Sequence, residues 1–221
     1  MVHPPVVALA RARRTETFPA MNCLVFVRTR YGVGPGALTA ALGFDMTKVR
    51  HSDSTPPPGV PVWWHGGEFG HVAISCGGGR VISTDWPRSG SVGRVGIARL
   101  TRDWTKVYKG WSEDINGVTI MKRPKVKFPR LVESAMTHPH EPPAAAGPGP
   151  EDEVALVKAA LYCEGLLDQR YAFDGRFGNR TLSAYAGWQR KVGMEGKTPN
   201  GLPGRDSLEL LSVKYGFAVQ D

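Results

Sequence analysis

The chain has 221 residues, of which 41% are hydrophobic, and a formal net charge of +8 at pH 7. This length allows one modest domain and a second, smaller one. No apolar run is long enough to span a bilayer, so we expect a globular chain without a transmembrane helix. The cysteines Cys23, Cys76 and Cys163 are too few for a disulfide framework, which indicates a reducing compartment.

The positive charge is concentrated in the first part of the chain. Residues 1–150 hold 19 Lys and Arg against 10 Asp and Glu, whereas residues 151–221 hold 9 against 10. A basic first part suits a polyanionic partner. The sequence has no zinc-finger spacing, no RRM-like aromatic signature and no basic amphipathic helix, so we expect no nucleic-acid partner.

Composition also suggests where the domains begin and end. The first 14 residues carry an apolar patch ahead of their arginines, the reverse of the order in a secretory signal peptide, so we expect a short helix or partly ordered arm and no signal peptide. Residues 137–150 contain five prolines and an Ala-Gly-Pro run, which predicts an extended chain. We therefore expect a first domain over 1–122, a linker over 123–150 and a second domain over 151–221.

A cysteine stands ahead of a dense apolar run in residues 21–28, Met-Asn-Cys-Leu-Val-Phe-Val-Arg. The run continues to Tyr31, and this length favours a buried helix over a strand. Asn22 is the candidate N-cap, which would place Cys23 on the first turn. Unpaired backbone N–H groups and the helix dipole favour a thiolate there, and a thiolate is the nucleophile of a cysteine hydrolase.

The candidate base is His71, which opens an apolar strand after a glycine. A three-glycine turn at residues 77–79 joins this strand to a second one, and the two should pair as a hairpin. Asp85 follows the second strand, so His71 and Asp85 are expected at the same open end. The carboxylate would then orient the imidazole while the other ring nitrogen faces Cys23.

Tryptophans flank these segments. Trp63 and Trp64 lie on one predicted strand, and alternate residues of a strand face opposite sides. We therefore expect one of them in the core and the other in a substrate groove. Trp86 directly follows Asp85 and is a second groove candidate, although core packing is the commoner role of a tryptophan.

A zinc site is the alternative interpretation of this region. Its possible ligands are two histidines and one of three acids: His65 and His71, with Asp45, Asp53 or Glu68. The sequence contains no His-Glu-x-x-His helix, and the glycine-rich loop between the histidines fixes no ligand face. The acids do not follow the calcium-loop spacing either, so we expect no metal and no cofactor.

The order Asn-Cys-apolar-apolar-Phe-Val-Arg, Pro-Gly-Val-Pro-Val-Trp-Trp, Gly-His-Val-Ala-Ile and then an acid resembles the CHAP family, which is related to the NlpC hydrolases. These are cysteine, histidine-dependent amidohydrolases and peptidases that cut peptidoglycan. The resemblance covers residues 15–121. It implies a papain-like α+β fold of a helix and an antiparallel sheet, with Cys23 as nucleophile, His71 as base and Asp85 as the orienting third member.

The third member varies within that family, so Ser83 and Thr84 are nearby alternatives to Asp85. The candidate substrate contacts in this region are the residue before the cysteine and the three tryptophans: Asn22, Trp63, Trp64 and Trp86.

An internal repeat marks the end of the chain. Residues 174–182, Asp-Gly-Arg-Phe-Gly-Asn-Arg-Thr-Leu, match residues 200–208, Asn-Gly-Leu-Pro-Gly-Arg-Asp-Ser-Leu, at an offset of 26. Each copy predicts a glycine turn that begins a helix, over 181–190 and over 207–215. A first helix with an apolar face precedes them, and a three-helix unit of this size can fold alone.

The repeat resembles the peptidoglycan-binding domain type 1, a three-helix module with an Asp-Gly-x-Phe-Gly-x-x-Thr motif. This resemblance covers residues 151–221 and implies binding to wall peptide or glycan. The implied contacts are motif residues and polar or aromatic residues of the next helix: Asp174, Arg176, Phe177, Tyr185, Trp188 and Gln189. For Phe177 and Trp188 we favour core packing.

Both resemblances point to one polymer, so we expect a modular peptidoglycan hydrolase similar to an actinobacteriophage endolysin. It would be an N-acetylmuramoyl-L-alanine amidase or a peptide endopeptidase. The alternatives are a zinc-dependent wall amidase or carboxypeptidase, and a wall-binding protein with an inactive hydrolase domain. We expect a monomer that stays in the host cytoplasm until lysis and then binds the anionic Gram-positive wall, with no membrane partner.

Overall fold

A computed structural model of the chain describes residues 2–121, 123–137, 153–194 and 199–221. The chain divides into two compact units, Met1–Lys122 and Arg123–Asp221. Helices are combined with an antiparallel sheet, which is the α+β class that the sequence predicts. Within the described ranges, no helix is long and apolar enough to cross a membrane.

The first unit is built on a six-stranded antiparallel sheet with the order β1-β6-β2-β3-β4-β5. Its strands are β1 (Arg50–His51), β2 (Pro61–His65), β3 (His71–Gly77), β4 (Arg80–Thr84), β5 (Val92–Gly96) and β6 (Val107–Ser112). Its helices are α1 (Pro5–Arg13), α2 (Cys23–Arg30), α3 (Ala40–Asp45) and α4 (Ile97–Asp103). A separate hairpin of β7 (Asp114–Ile115) and β8 (Val118–Thr119) turns at Asn116 and Gly117, both of which have a positive φ.

Helices cover both faces of this sheet, which corrects the prediction for the two adjacent tryptophans. Trp63 packs against Phe44 of α3, with ring centroids 5.9 Å apart. Trp64 faces the other side, where its Nε1 donates to Thr101 of α4 at 2.8 Å. Both indoles are fully buried, so neither lines a groove. The expectation of one exposed tryptophan assumed a sheet with one open face.

The N-terminal segment is a packed helix. The side chains of α1 from Val6 to Ala10 are buried, and α1 contacts α2. The backbone N–H of His3 donates to the Tyr31 carbonyl at 2.7 Å, which ties the start of the chain to the end of α2. Of the two predicted forms, a short helix or a partly ordered arm, the helix is present.

The cysteine helix and the histidine hairpin are both present as predicted. Helix α2 begins at Cys23 and ends at Arg30, with Tyr31 as its C-cap. Strands β3 and β4 pair antiparallel, with Ile74 opposite Ile82, and α2 packs on β3.

The second unit contains more than the predicted helices. Its elements are β9 (Lys125–Lys127), α5 (Phe128–Thr137), α6 (Glu153–Cys163), a 3₁₀ helix (Gln169–Tyr171), α7 (Asn179–Lys191), α8 (Arg205–Tyr215) and β10 (Ala218–Gln220). The predicted linker over 123–150 is therefore wrong for its first part, where β9 and α5 form. The rest of that range, 138–150, lies outside the described residues.

Strand β9 is held by apolar burial and by pairing with the end of the chain. It pairs in parallel with β10, with Val126 opposite Val219. Val126 and, in α5, Leu131 are fully buried. Basic residues and prolines surround Val126 and Leu131 in the sequence and gave the segment the composition of a linker, although these two apolar residues are buried in the fold.

The two repeat copies adopt the same turn. Asp174 Oδ1 accepts from the N–H of Arg176 at 3.0 Å, and Asn200 Oδ1 accepts from the N–H of Leu202 at 3.0 Å. The glycine between each pair has a positive φ, 68° at Gly175 and 81° in the second copy. Each turn leads into a helix, α7 or α8, as the repeat predicts.

We expect β9 and α5 to be needed for a stable second unit. A fragment of residues 123–221 should unfold cooperatively, while a fragment of residues 151–221 should melt about 10 °C lower, since it loses the burial of Val126 and Leu131. Circular dichroism on heating measures both midpoints. Val126→Asp in the longer fragment should reproduce the loss, and the exposed Lys127→Asp should not. Equal midpoints for the two fragments would show that β9 and α5 add no stability.

Candidate active site

A pocket of about 550 Å³ lies where α2, the start of β3 and the end of β4 meet. It brings together the three residues that the sequence singles out for catalysis, Cys23, His71 and Asp85. The remaining lining residues come from the loop before β3, from the end of α4 and from the segments around them: Met21, Gly67, Glu68, Phe69, Gly70, Ser89, Trp104 and Lys106.

Cys23 is the first residue of α2, as predicted, but its thiol is not ionised by that position. Burial raises the pKa of the Cys23 thiol above its ordinary value. Hydrogen bonds from the N–H groups of Val72 and Leu24 oppose this rise only in part, and the nearby Asp85 adds to it. The predicted thiolate is therefore replaced by a neutral thiol in the free protein, because burial outweighs the helix N-terminus.

Asn22 occupies the N-cap position before Cys23, but its side chain does not cap the helix. Its Nδ2 donates to the Ala20 carbonyl at 2.8 Å instead. The Asn22 side chain therefore holds the turn that leads into Cys23.

His71 is oriented by a serine. Ser83 Oγ has one proton, which it donates to the Thr84 carbonyl at 3.0 Å. It therefore accepts its second bond, at 2.8 Å, from Nε2–H of His71. This arrangement selects the tautomer in which Nδ1 is unprotonated and free to act as a base.

Burial also keeps the His71 ring neutral. The pKa of His71 falls to about 3, first because the ring is buried and second because Lys106 is close. The edge of the ring packs on Trp104, with centroids 4.8 Å apart. The imidazole is thus fixed on one side by a hydrogen bond and on another by an aromatic contact.

Asp85 does not occupy the place predicted for it. With Ile74 opposite Ile82, a continued β3–β4 register would set Asp85 opposite His71. Strand β4 ends at Thr84, however, and Asp85 has a φ of 58°. Its Oδ2 accepts from the N–H of Met21 at 3.1 Å and its Oδ1 from the N–H of Gly90 at 2.8 Å.

The Asp85 carboxylate therefore fixes the segment that leads into Cys23, and Ser83, the alternative third member, binds the imidazole. Met21 also has a left-handed φ, 61°, so two non-glycine residues at this pocket have strained backbones. Such strain is typical of functional sites.

Lys106 is a charged pocket residue that the sequence did not indicate. Its Nζ donates to the carbonyl of Gly66 at 2.6 Å and lies 3.5 Å from that of Gly70. Its charge lowers the pKa values of both Cys23 and His71. A single lysine before a strand has no sequence pattern that indicates a site. Lys106 reaches the pocket of Cys23 only because the folded chain brings these distant segments together.

Trp86, the predicted groove residue, is half-buried and does not line this pocket. Its ring lies beside Trp104, with centroids 6.4 Å apart, and under the guanidinium of Arg99. Trp86 supports the wall of the pocket through Trp104.

The zinc alternative lacks a converging ligand set in the described part of the chain, where no group of three His, Cys, Asp or Glu side chains is placed to hold a metal. His65 packs edge-on against Phe44. Asp53 accepts from the indole N–H of Trp111 at 3.0 Å. Of the residues considered as ligands, Glu68 and His71 line the pocket.

In the second unit, most of the predicted binding residues are buried. Asp174 pairs with the buried Lys158, whose Nζ also donates to the Arg176 carbonyl at 2.6 Å. Phe177 and Tyr185 are fully buried.

Trp188 and Gln189, the other two buried residues, hydrogen-bond from the helix after the first repeat copy to the second copy. Trp188 Nε1 donates to the Ser207 carbonyl at 2.8 Å, and the Gln189 amide bonds both Leu202 O and Gly201 N–H. Of the six predicted contacts, only Arg176 has an exposed side chain.

A second pocket of about 320 Å³ lies beside the second repeat copy. It is lined by the end of α7, the second turn and the start of α8: Gln189, Met194, Asn200, Leu202, Pro203, Gly204, Arg205, Asp206 and Ser207. Gln189 is the one predicted contact that reaches this pocket.

Comparisons of the chain with protein-family models, with curated proteins and with solved structures found no match.

We expect Ser83, rather than Asp85, to control the His71 tautomer. Ser83→Ala should shift the two ring ¹⁵N resonances of His71 toward the average of a mixed tautomer, because Nε2–H loses its acceptor. Asp85→Asn should leave them within the range of the native protein. Nitrogen-detected NMR of the imidazole measures both. A shift in Asp85→Asn but not in Ser83→Ala would contradict the assignment.

We also expect His71 to make the first unit less stable in acid. The pKa of His71 is about 3 in the folded chain and near 6.5 when unfolded, so the unfolded state binds the extra proton between these values. The free energy of unfolding should therefore decrease as the pH falls from 6.5 toward 3. His3, with a pKa lowered to about 4, acts in the same direction.

Urea unfolding of the native chain and of a His71 variant at several pH values isolates the contribution of His71. His71→Gln should show a smaller decrease in unfolding free energy than the native chain, since the contribution of His71 is then absent while those of the other titrating groups remain. Identical pH dependence in both proteins would contradict the neutral, buried state of His71.

Proposed function

We propose that the chain is a modular peptidoglycan hydrolase, in which the first unit cleaves an amide bond through Cys23 and the second unit binds the wall. The observation that carries the proposal is the shared pocket of Cys23, on the first turn of a helix, and the oriented, neutral His71. A nucleophile, a base and a group that orients the base are the parts that acyl transfer needs.

The reaction begins from a thiol and a neutral imidazole. As Cys23 Sγ attacks the amide carbonyl carbon, the thiol proton passes to Nδ1 of His71, whose Nε2–H stays bonded to Ser83. The carbonyl oxygen becomes an oxyanion. The backbone N–H of Cys23 is at the first position of α2, where it has no acceptor within the helix, and it can stabilise this charge.

The tetrahedral intermediate then collapses. The C–N bond breaks, and the imidazolium of His71 gives its proton to the departing amine. The low pKa of His71 makes the imidazolium a strong acid for this step. A water molecule attacks the resulting thioester and gives its proton to Nδ1, which returns it to the sulfur as the carboxylic acid leaves.

The second unit supports the wall-binding part of the proposal through its repeat. Both copies form the same turn, and the 320 Å³ pocket lies beside the second one. Asn200, Arg205 and Asp206 give this pocket polar and charged groups of both signs. Such groups suit the amide, carboxylate and hydroxyl groups of wall peptide or glycan.

We further propose that the first unit has a papain-like arrangement and that the second is a three-helix wall-binding module. The whole chain would then act as an endolysin. The cleaved bond is that of an N-acetylmuramoyl-L-alanine amidase or of a peptide endopeptidase. An endolysin would remain in the host cytoplasm as a monomer until lysis and then act on the wall.

One observation favours a second function, a wall-binding protein whose hydrolase unit is inactive. Among the described residues, no hydrogen bond joins Cys23 to His71, and the pKa of the Cys23 thiol is raised. Catalytic hydrogen bonds often form only when substrate is bound, so this observation does not displace the first proposal.

Loss of turbidity of purified Gram-positive walls tests the function. The native chain should clear the walls and Cys23→Ala should not, because the variant has no nucleophile. Cys76→Ala is the matched control, since Cys76 lies on β3, the strand that begins at His71, but outside the pocket. Its rate should stay within about twofold of the native rate, as expected for a change away from the site.

Wall binding by pull-down separates the two functions. Binding by Cys23→Ala together with clearing by the native chain supports the hydrolase. Binding by both proteins with clearing by neither would favour the inactive wall-binding protein. Clearing by Cys23→Ala would exclude the cysteine mechanism.

A further inference from the structure

Lys106 places a positive charge at the active-site pocket without a carboxylate partner. Its ammonium has three N–H donors, of which one bonds Gly66 O at 2.6 Å and a second reaches Gly70 O at 3.5 Å. In the described ranges, no acidic side chain forms an ion pair with Lys106. One donor and the full charge thus remain for a ligand.

The acidic groups that share the pocket do not neutralise this charge. Both oxygens of Asp85 accept backbone N–H groups, from Met21 and from Gly90. Glu68 lies on the exposed loop whose backbone Lys106 holds. The lysine is therefore fixed in place by uncharged carbonyl oxygens and keeps its charge for an incoming group.

We propose that Lys106 is a specificity-determining residue that binds a carboxylate of the wall peptide beside the amide cleaved by Cys23. The proposal rests on the proposed function and narrows its substrate class to peptides with a free carboxyl group at that position. Lys106 is half-buried, so a carboxylate at its ammonium gains a charge-assisted hydrogen bond in a partly water-excluded site.

Carboxylate binding would also act on the base. The charge of Lys106 disfavours the imidazolium of His71 in the free protein. A bound carboxylate offsets that charge and makes proton transfer to Nδ1 easier. Recognition and activation would then be coupled, because a peptide without the carboxylate leaves His71 a weaker base.

The test uses soluble muropeptides released from purified walls by a muramidase. One half keeps its carboxyl groups, and the other half is converted to carboxamides with carbodiimide and ammonia. The measured quantity is the ratio of kcat/KM for the free to the amidated muropeptides, so that a general loss of activity cancels within each variant.

The native chain should prefer the free muropeptides by about tenfold, the scale of one hydrogen bond to a charged group. Lys106→Met should reduce this ratio to about one, and Lys106→Arg should retain most of it. Lys109→Met is the matched control, because Lys109 is an exposed lysine outside the pocket, and it should keep the native ratio. An unchanged ratio in Lys106→Met would overturn the proposal.

Calorimetry of muropeptide binding to the inactive variant Cys23→Ala tests the carboxylate site separately from the hydrolase function. The free muropeptides should bind more tightly than the amidated ones, and adding Lys106→Met should remove the difference. If the native chain cleaves neither preparation, the hydrolase function fails, and the binding difference alone decides whether Lys106 forms a carboxylate site. Cleavage without any preference would refute the carboxylate site and leave the hydrolase intact.

Discussion

The hydrogen bond from His71 Nε2–H to Ser83 Oγ is the interaction on which the rest of the pocket depends. The β3–β4 register produces it, because with Ile74 opposite Ile82 the side chains of His71 and Ser83 lie on the same face as diagonal neighbours. The carbonyl of Thr84 then fixes the direction of the serine proton. The pairing of β3 with β4 thereby determines that Nδ1 of the buried His71 ring is the unprotonated nitrogen.

Burial defines the electrostatics of the same site. The helix N-terminus and the N–H groups of Val72 and Leu24 stabilise negative charge on Cys23, yet its thiol pKa is raised because the sulfur is buried. The pKa of His71 is lowered for the same reason. The free protein therefore holds a neutral pair, and charge develops only during attack. Lys106 and Asp85 lie beside this pair and carry opposite charges. Lys106 binds the backbone of the loop before β3, and Asp85 binds the segment that leads into Cys23.

Local pattern predicted much of the fold but not the contacts of the site. The length of the apolar run identified α2, the glycine turn identified the β3–β4 hairpin, and the repeat identified α7 and α8. These features depend on neighbours in the sequence. The role of Ser83, the turn of Asp85 away from His71 and the presence of Lys106 depend on where β4 ends and on how distant segments meet. Burial of both tryptophans of β2 likewise depends on helices packing on both faces.

The most direct test of Cys23 as the nucleophile compares its alkylation with the remaining activity. The full chain is treated with increasing iodoacetamide, peptide mass spectrometry measures the modified fraction of Cys23, and wall cleavage is assayed on the same samples. If Cys23 is the nucleophile, the rate should decline in proportion to its modification and reach zero when that modification is complete, whatever the modification of Cys76 or Cys163. Cleavage that persists with Cys23 fully alkylated would contradict this role of Cys23.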